Sequence, residues 1–161
     1  MKDNREFARK EIWIMTEIIT KSQFDELLAM AKYFEREFTP PTVGKHDSFE
    51  LHDATNREKF FLDIDRGGKI ELGRKVKLQN RYYSNVLVRL EINSSKHMNP
   101  DGKLLSGSHI HIYTEGYGDS WAFELKDFDK ATFDENVPFE ENLTRFCEFC
   151  NIVLPEFQTA I

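Results

Sequence analysis

The sequence predicts an α+β fold: an antiparallel sheet, twisted or partly closed, over about residues 60–123, with N-terminal and C-terminal helices packed on one face. Three observations point there. Apolar residues recur at helical spacing towards both ends of the chain. They alternate through the middle, and clusters of Pro, Gly, Asn and Asp separate the alternating runs. The length of 161 residues fits one domain, 1–161, divided into a helical segment 1–39, a sheet core 60–123 and a C-terminal helix 136–154. Hydrophobic residues make up 40 % of the chain and Phe alone occurs 14 times, which is enough to build a core.

The elements follow in order. "SQFDELLAMAKYFEREF" places Phe24, Leu27, Leu28, Ala31 and Phe34 on one face, predicting a helix over 23–37 with Ser22 as N-cap, closed by Pro40 and Pro41. Residues 4–19 suit a helix or a strand equally. "FFLDIDR" alternates Phe60, Leu62 and Ile64 with Phe61, Asp63 and Asp65. "KIEL" and "KVKLQNRYY" follow as strands, with Gly73 a bulge or turn between them. "VLVRLEI" sets Val86, Val88, Leu90 and Ile92 against Leu87, Arg89 and Glu91. "NPDG" is a turn with proline in second place, "HIHIY" sets Ile110 and Ile112 against His109, His111 and Tyr113, and "SWAF" adds a short strand. Near the end, Phe139, Leu143, Phe146 and Cys150 share a helix face, with Asn136 or Asp134 as cap. Cys147 and Cys150 lie late in that helix and read as core thiols. A redox pair belongs at a helix N-terminus, and a structural zinc site needs a second ligand pair. "DRGGK" lacks the strand–loop–helix setting of a phosphate loop.

Aligned in one sheet, these strands have an aliphatic face for the helices and a polar face carrying Asp63, Asp65, Arg89, Glu91, His109, His111 and Tyr113. Carboxylates, an arginine and imidazoles form an acid–base set, and imidazole titrates nearest neutrality. His97 returns towards the pair through the NPDG turn. The net charge of −6 conceals a basic run: Arg66 to Leu90 holds seven basic residues and one acid. That run offers a local phosphate-binding surface on an otherwise acidic protein.

The first functional reading is RNA cleavage without a metal. His97, His109, His111, Arg89 and Asp63 are its candidate catalytic residues. Arg74, Lys75, Lys77, Arg81 and Tyr113 are the binding residues, with Asp63 or Glu91 orienting an imidazole. No cofactor is required on this reading. The second is a zinc site: His109 and His111 point the same way about 6–7 Å apart along a strand and pair with His97 or Asp63. The third is a histidine ladder that stiffens the hairpin. A non-catalytic alternative uses the acids at Glu35–Glu37, Asp127–Asp134 and Glu140–Glu141 to occupy the nucleic-acid channel of a host nucleoprotein complex. No apolar run reaches the ~18 residues of a membrane span, so no membrane partner and a cytoplasmic location are expected.

The stretch from Phe61 to Pro155, with "LDIDRGGKIEL", "VRLEIN" and the run H-x-NPDG, HIHIY, EGYGD and WA, resembles an uncharacterised family of small bacterial and phage proteins. The resemblance implies a bacterial or phage protein, carried on a mobile element, and implies no particular reaction.

Overall fold

The computed structural model describes residues 19–67 and 75–155. Residues 4–18, expected as helix or strand, lie outside them, as do the residues of the expected "KIEL" strand, Gly73 and Arg74. Among the described residues the fold is α+β: an eight-stranded, mostly antiparallel sheet, a separate two-stranded hairpin and two α-helices.

Helix α1, Lys21–Ala29, begins at a capping box. Thr20 accepts from the Gln23 N–H at 3.1 Å, and the Gln23 side chain accepts from the Thr20 N–H at 2.9 Å. This replaces the expected Ser22 cap. The helix buries Phe24 and Leu27 and then stops well short of residue 37, with Met30 already extended. Its expected last turns are strand β1, Lys32–Phe34, which runs parallel to β10, Ile152–Val153, and antiparallel to β2, His46–His52. Tertiary pairing overrides helical periodicity here. Lys32 is fully buried, and its ammonium donates to the carbonyls of Leu28, Met30 and Cys150 at 3.2, 2.8 and 2.7 Å. One side chain thus closes the C-terminal ends of both helices, where carbonyls have no partner of their own. Phe34, expected on the helix face, instead stacks on Phe38 with ring centroids 4.4 Å apart, and Phe49 meets both rings edge-on.

The sheet order is β10-β1-β2-β3-β4-β5-β8-β9, with β3 Lys59–Asp65, β4 Val76–Tyr82, β5 Asn85–Ile92, β8 His109–Ile112 and β9 Ala122–Glu124. It therefore extends on both sides of the predicted 60–123, through β1, β2 and β10. Phe60, Leu62, Ile64, Leu78, Val88, Leu90 and Ile110 form a single core with Phe24, Leu27 and the apolar face of α2, Phe139–Phe149. Alternation fails at one place. Asn80 pairs with Val88 but Arg81 with Val86, so Leu87 is the extra residue of a β-bulge. Leu87 accordingly lies in the core and Val86 is half-buried, the reverse of the expected faces.

Tyr113 also departs from its expected face. The ladder ends at Ile112, and the Tyr113 ring turns into the core against Phe24, with ring centroids 6.1 Å apart; its hydroxyl accepts from the Ile19 N–H at 2.8 Å. It is unavailable to a base or a phosphate. Helix α2 uses neither expected cap: Pro138 precedes it, and the Asn142 amide exchanges hydrogen bonds with the Asp134 backbone. Cys147 and Cys150 are buried free thiols, and burial pushes Cys150 up to about 12, so both stay protonated core residues. No helix among the described residues is long and apolar enough to cross a membrane.

Candidate functional site

The polar face is organised by register. Two rows run straight across it: Ser48, Asp63, Gln79, Arg89, His111 in one, and His46, Asp65, Lys77, Glu91, His109 in the next. Cross-strand neighbours on one face sit about 4.5–5.5 Å apart, so Glu91 meets His109 while Asp63 is three strands away from His109 and His111.

A hairpin folds over the end of these rows. Strands β6, His97–Met98, and β7, Leu104–Leu105, flank the turn Asn99–Gly102, in which the Gly102 N–H donates to the Asn99 carbonyl and Gly102 takes a φ of 86°. The Asn99 side chain exchanges two hydrogen bonds with the Ala122 backbone of β9 and holds the hairpin down. His109 and His111, expected on an open face, are each only 1 % exposed as a result. His97 is half-buried above them, with ring centroids 5.5 Å from His109 and 4.5 Å from His111.

Glu91 is the centre of the cluster. One of its oxygens faces His109 Nε2 at 2.7 Å and His111 Nε2 at 3.1 Å, and the other lies 3.8 Å from Arg89. Its contacts with His109 and then His111 hold its carboxyl well below the usual range despite burial. Each histidine points its second nitrogen at a backbone carbonyl: His109 Nδ1 at Gly107, 2.9 Å, and His111 Nδ1 at Asp119, 2.7 Å. Burial by itself would lower the His109 pKa, but its bonds to Glu91 and Gly107 raise it above the ordinary value. His97 Nε2 donates to the Ser120 carbonyl at 2.8 Å, which leaves Nδ1 as the lone-pair nitrogen.

Of the expected site residues, His97, His109, His111 and Arg89 come together. Arg89 is an internal cation, bound to the Asp119 carboxylate as well as facing Glu91. Asp63 and Arg81 do not join them. Asp63 accepts from Ser48, Gln79 and Arg81, and Arg81 also reaches the Tyr83 carbonyl and lies over the Phe61 ring. Lys75 and Lys77 line a cavity of about 360 Å³ together with Arg89, Glu91, His97 and His111. Lys96 and Asp119 stand outside the residues expected from the sequence, whereas Asp65, expected on the polar face, lines the cavity. Asp119, in the glycine turn "EGYGD" just after the histidine strand, carried a legible signal. Lys96 carried none beyond its charge.

The chain belongs to a family of unknown function, DUF6978, whose model matches residues 19–152. No curated protein and no solved structure matches it.

Proposed function

We propose that the protein cleaves the phosphodiester backbone of RNA, bound in the cavity beside the histidine cluster. The observation that carries this reading is one of placement. Lys75, Lys77 and Lys96 line the same cavity as His97, are exposed, and have no ion-pair partner among the described residues. Ammonium groups hold phosphate as point charges and stabilise the charge that develops on it. His97 keeps a lone pair on Nδ1 and is the half-exposed imidazole, which suits it to take the proton of a ribose 2′-hydroxyl. Activated in this way, the hydroxyl attacks its own phosphorus, and the 5′-oxygen leaves with a proton from solvent. The division of labour differs from the sequence-based expectation. His109 and His111 have both ring nitrogens facing hydrogen-bond partners and build the floor of the site, and the reaction as written draws on no metal ion.

The test is incubation of pure protein with labelled single-stranded RNA and with DNA of the same sequence. Cleavage of RNA alone, to a cyclic phosphate end, is expected. His97→Ala should lower its rate by about 10²–10⁴. Lys77→Ala with Lys96→Ala should weaken RNA binding and flatten its salt dependence. No cleavage between pH 5 and 8, or full activity in His97→Ala, sinks the reading. A protein without activity that retains one nucleoprotein complex from host lysate belongs to the non-catalytic alternative.

A further inference from the structure

We infer that Glu91, His109 and His111 bind a single first-row divalent metal ion, with zinc the best fit. Their three ligand atoms lie within 4.8 Å of one another, and both imidazole Nε2 atoms converge on the same carboxylate oxygen. Bonds of about 2.0–2.2 Å to a four-coordinate ion set its ligand atoms roughly 3.3 Å apart; here the carboxylate oxygen lies 2.7 and 3.1 Å from the two Nε2 atoms, and all three ligand atoms fall within 4.8 Å of one another.

Tautomers strengthen the case. A backbone carbonyl can only accept, so each Nδ1 aimed at one carries a proton. Neutral imidazoles then present lone pairs at Nε2. Two lone pairs and a carboxylate oxygen would meet with no donor between them. A cation at that focus would satisfy all three ligand atoms. Metal-bound histidines donate their other N–H to a carbonyl or carboxylate in just this manner, which fixes ring orientation before the ion arrives. The covering hairpin does the rest, holding both rings almost out of solvent.

Two histidines and one glutamate form a set that leaves a coordination position open. Glu91 and His111 also line the basic cavity, so an ion held by this set borders the space where a phosphate would sit. His97, with Nε2 on the Ser120 carbonyl, stays outside the set. The buried thiols belong to the core on the other face. The inference does not depend on the proposed reaction, because ion content is measured without substrate.

The experiment uses untagged full-length protein, stripped with chelator and titrated with Zn²⁺ and, separately, Co²⁺. One equivalent should bind. X-ray absorption of the zinc form should show nitrogen and oxygen ligands, imidazole outer-shell scattering and no sulfur. Glu91→Gln and His111→Ala should each lower affinity more than 100-fold, beyond the 10–100-fold typical of outer-shell partners. His46→Ala with His52→Ala, elsewhere on the sheet, should leave it unchanged. No bound ion, sulfur ligation, or wild-type affinity in folded Glu91→Gln or His111→Ala overturns the site. If His111→Ala fails to fold, the absorption spectrum of the wild-type zinc form decides the matter.

Discussion

Asp63 and Glu91 lie on the same face of the same sheet, two strands apart, and both are mostly buried carboxylates beside an arginine. Their surroundings differ in kind. Asp63 meets groups that only donate to it, from Ser48, Gln79 and Arg81, and every contact is satisfied without further chemistry. Glu91 meets two imidazoles, each of which donates or accepts according to its protonation. The first arrangement is complete as it stands. The second is balanced only by added protons or an added cation. Charge and burial are therefore poor guides to function on this face, and the better guide is whether the hydrogen-bond inventory closes.

The comparison can be broken first at its support. Leu90 is fully buried between Arg89 and Glu91 and faces the core. Leu90→Asp puts an unpaired charge there and should cost several kcal/mol, disrupting both regions together. An unchanged thermal midpoint would show that the register, and with it both rows, is wrong.

Lys32 sharpens the comparison from the other face, because it closes its inventory as Asp63 does, with three donors on three carbonyls. Burial lowers its pKa to about 8, only partly offset by Cys150. The sign follows from linkage. Between about pH 8 and 10.5 the unfolded chain keeps a proton that the folded chain has lost, so this group makes stability rise with pH, by up to about 3 kcal/mol. Tyr82, whose pKa is pushed up by burial and by Glu58, slopes the opposite way over the alkaline range. The quantity to measure is therefore the difference in thermal midpoint between wild type and Lys32→Met from pH 7 to 11. It should change across this window, and a constant difference would show that the ammonium is not perturbed.

Between the carboxylates themselves, Glu91→Gln should cost more than Asp63→Asn. Glu91→Gln leaves two buried imidazoles and Arg89 short of an anion, a loss of about 2 kcal/mol in the metal-free protein. Asp63→Asn leaves one partly exposed arginine and should cost about 1 kcal/mol. Chemical denaturation of the two variants gives the order, and the reverse order would undo the contrast. Asp63 also carries a pH signature. Burial raises its pKa, but the bonds from Arg81, Ser48 and Gln79 outweigh it and hold the carboxyl below the usual range. Its contribution is present above the ordinary Asp value and is lost as pH falls through the lower folded value. Asp63→Asn should accordingly reduce the fall in midpoint on acidification; an acid limb identical to wild type would contradict the Asp63–Arg81 pairing.

Local pattern determined much of this protein. Period-two alternation was enough to identify β3, β4, β5 and β8, to set Leu62, Ile64, Leu90 and Ile110 on one face and Glu91, His109 and His111 on the other, and to read the NPDG turn. A period-3.6 stripe located α2 and marked both cysteines as core. Those features are short-range: a residue's face depends on its neighbours two or four places away. Tertiary structure decided what depends on partners distant in sequence. It ended α1 at Ala29 by pairing Lys32 with Ile152, and it moved Leu87 inward through a bulge whose cause lies in the partner strand. It also chose between two equivalent carboxylates. Asp63 and Glu91 both sit on alternating strands of the same face, and only the strand order, with β5 next to β8 and β3 three places away from it, gave the histidines to Glu91. Strand order is set by which loops close and which faces bury together, over separations that no local period records.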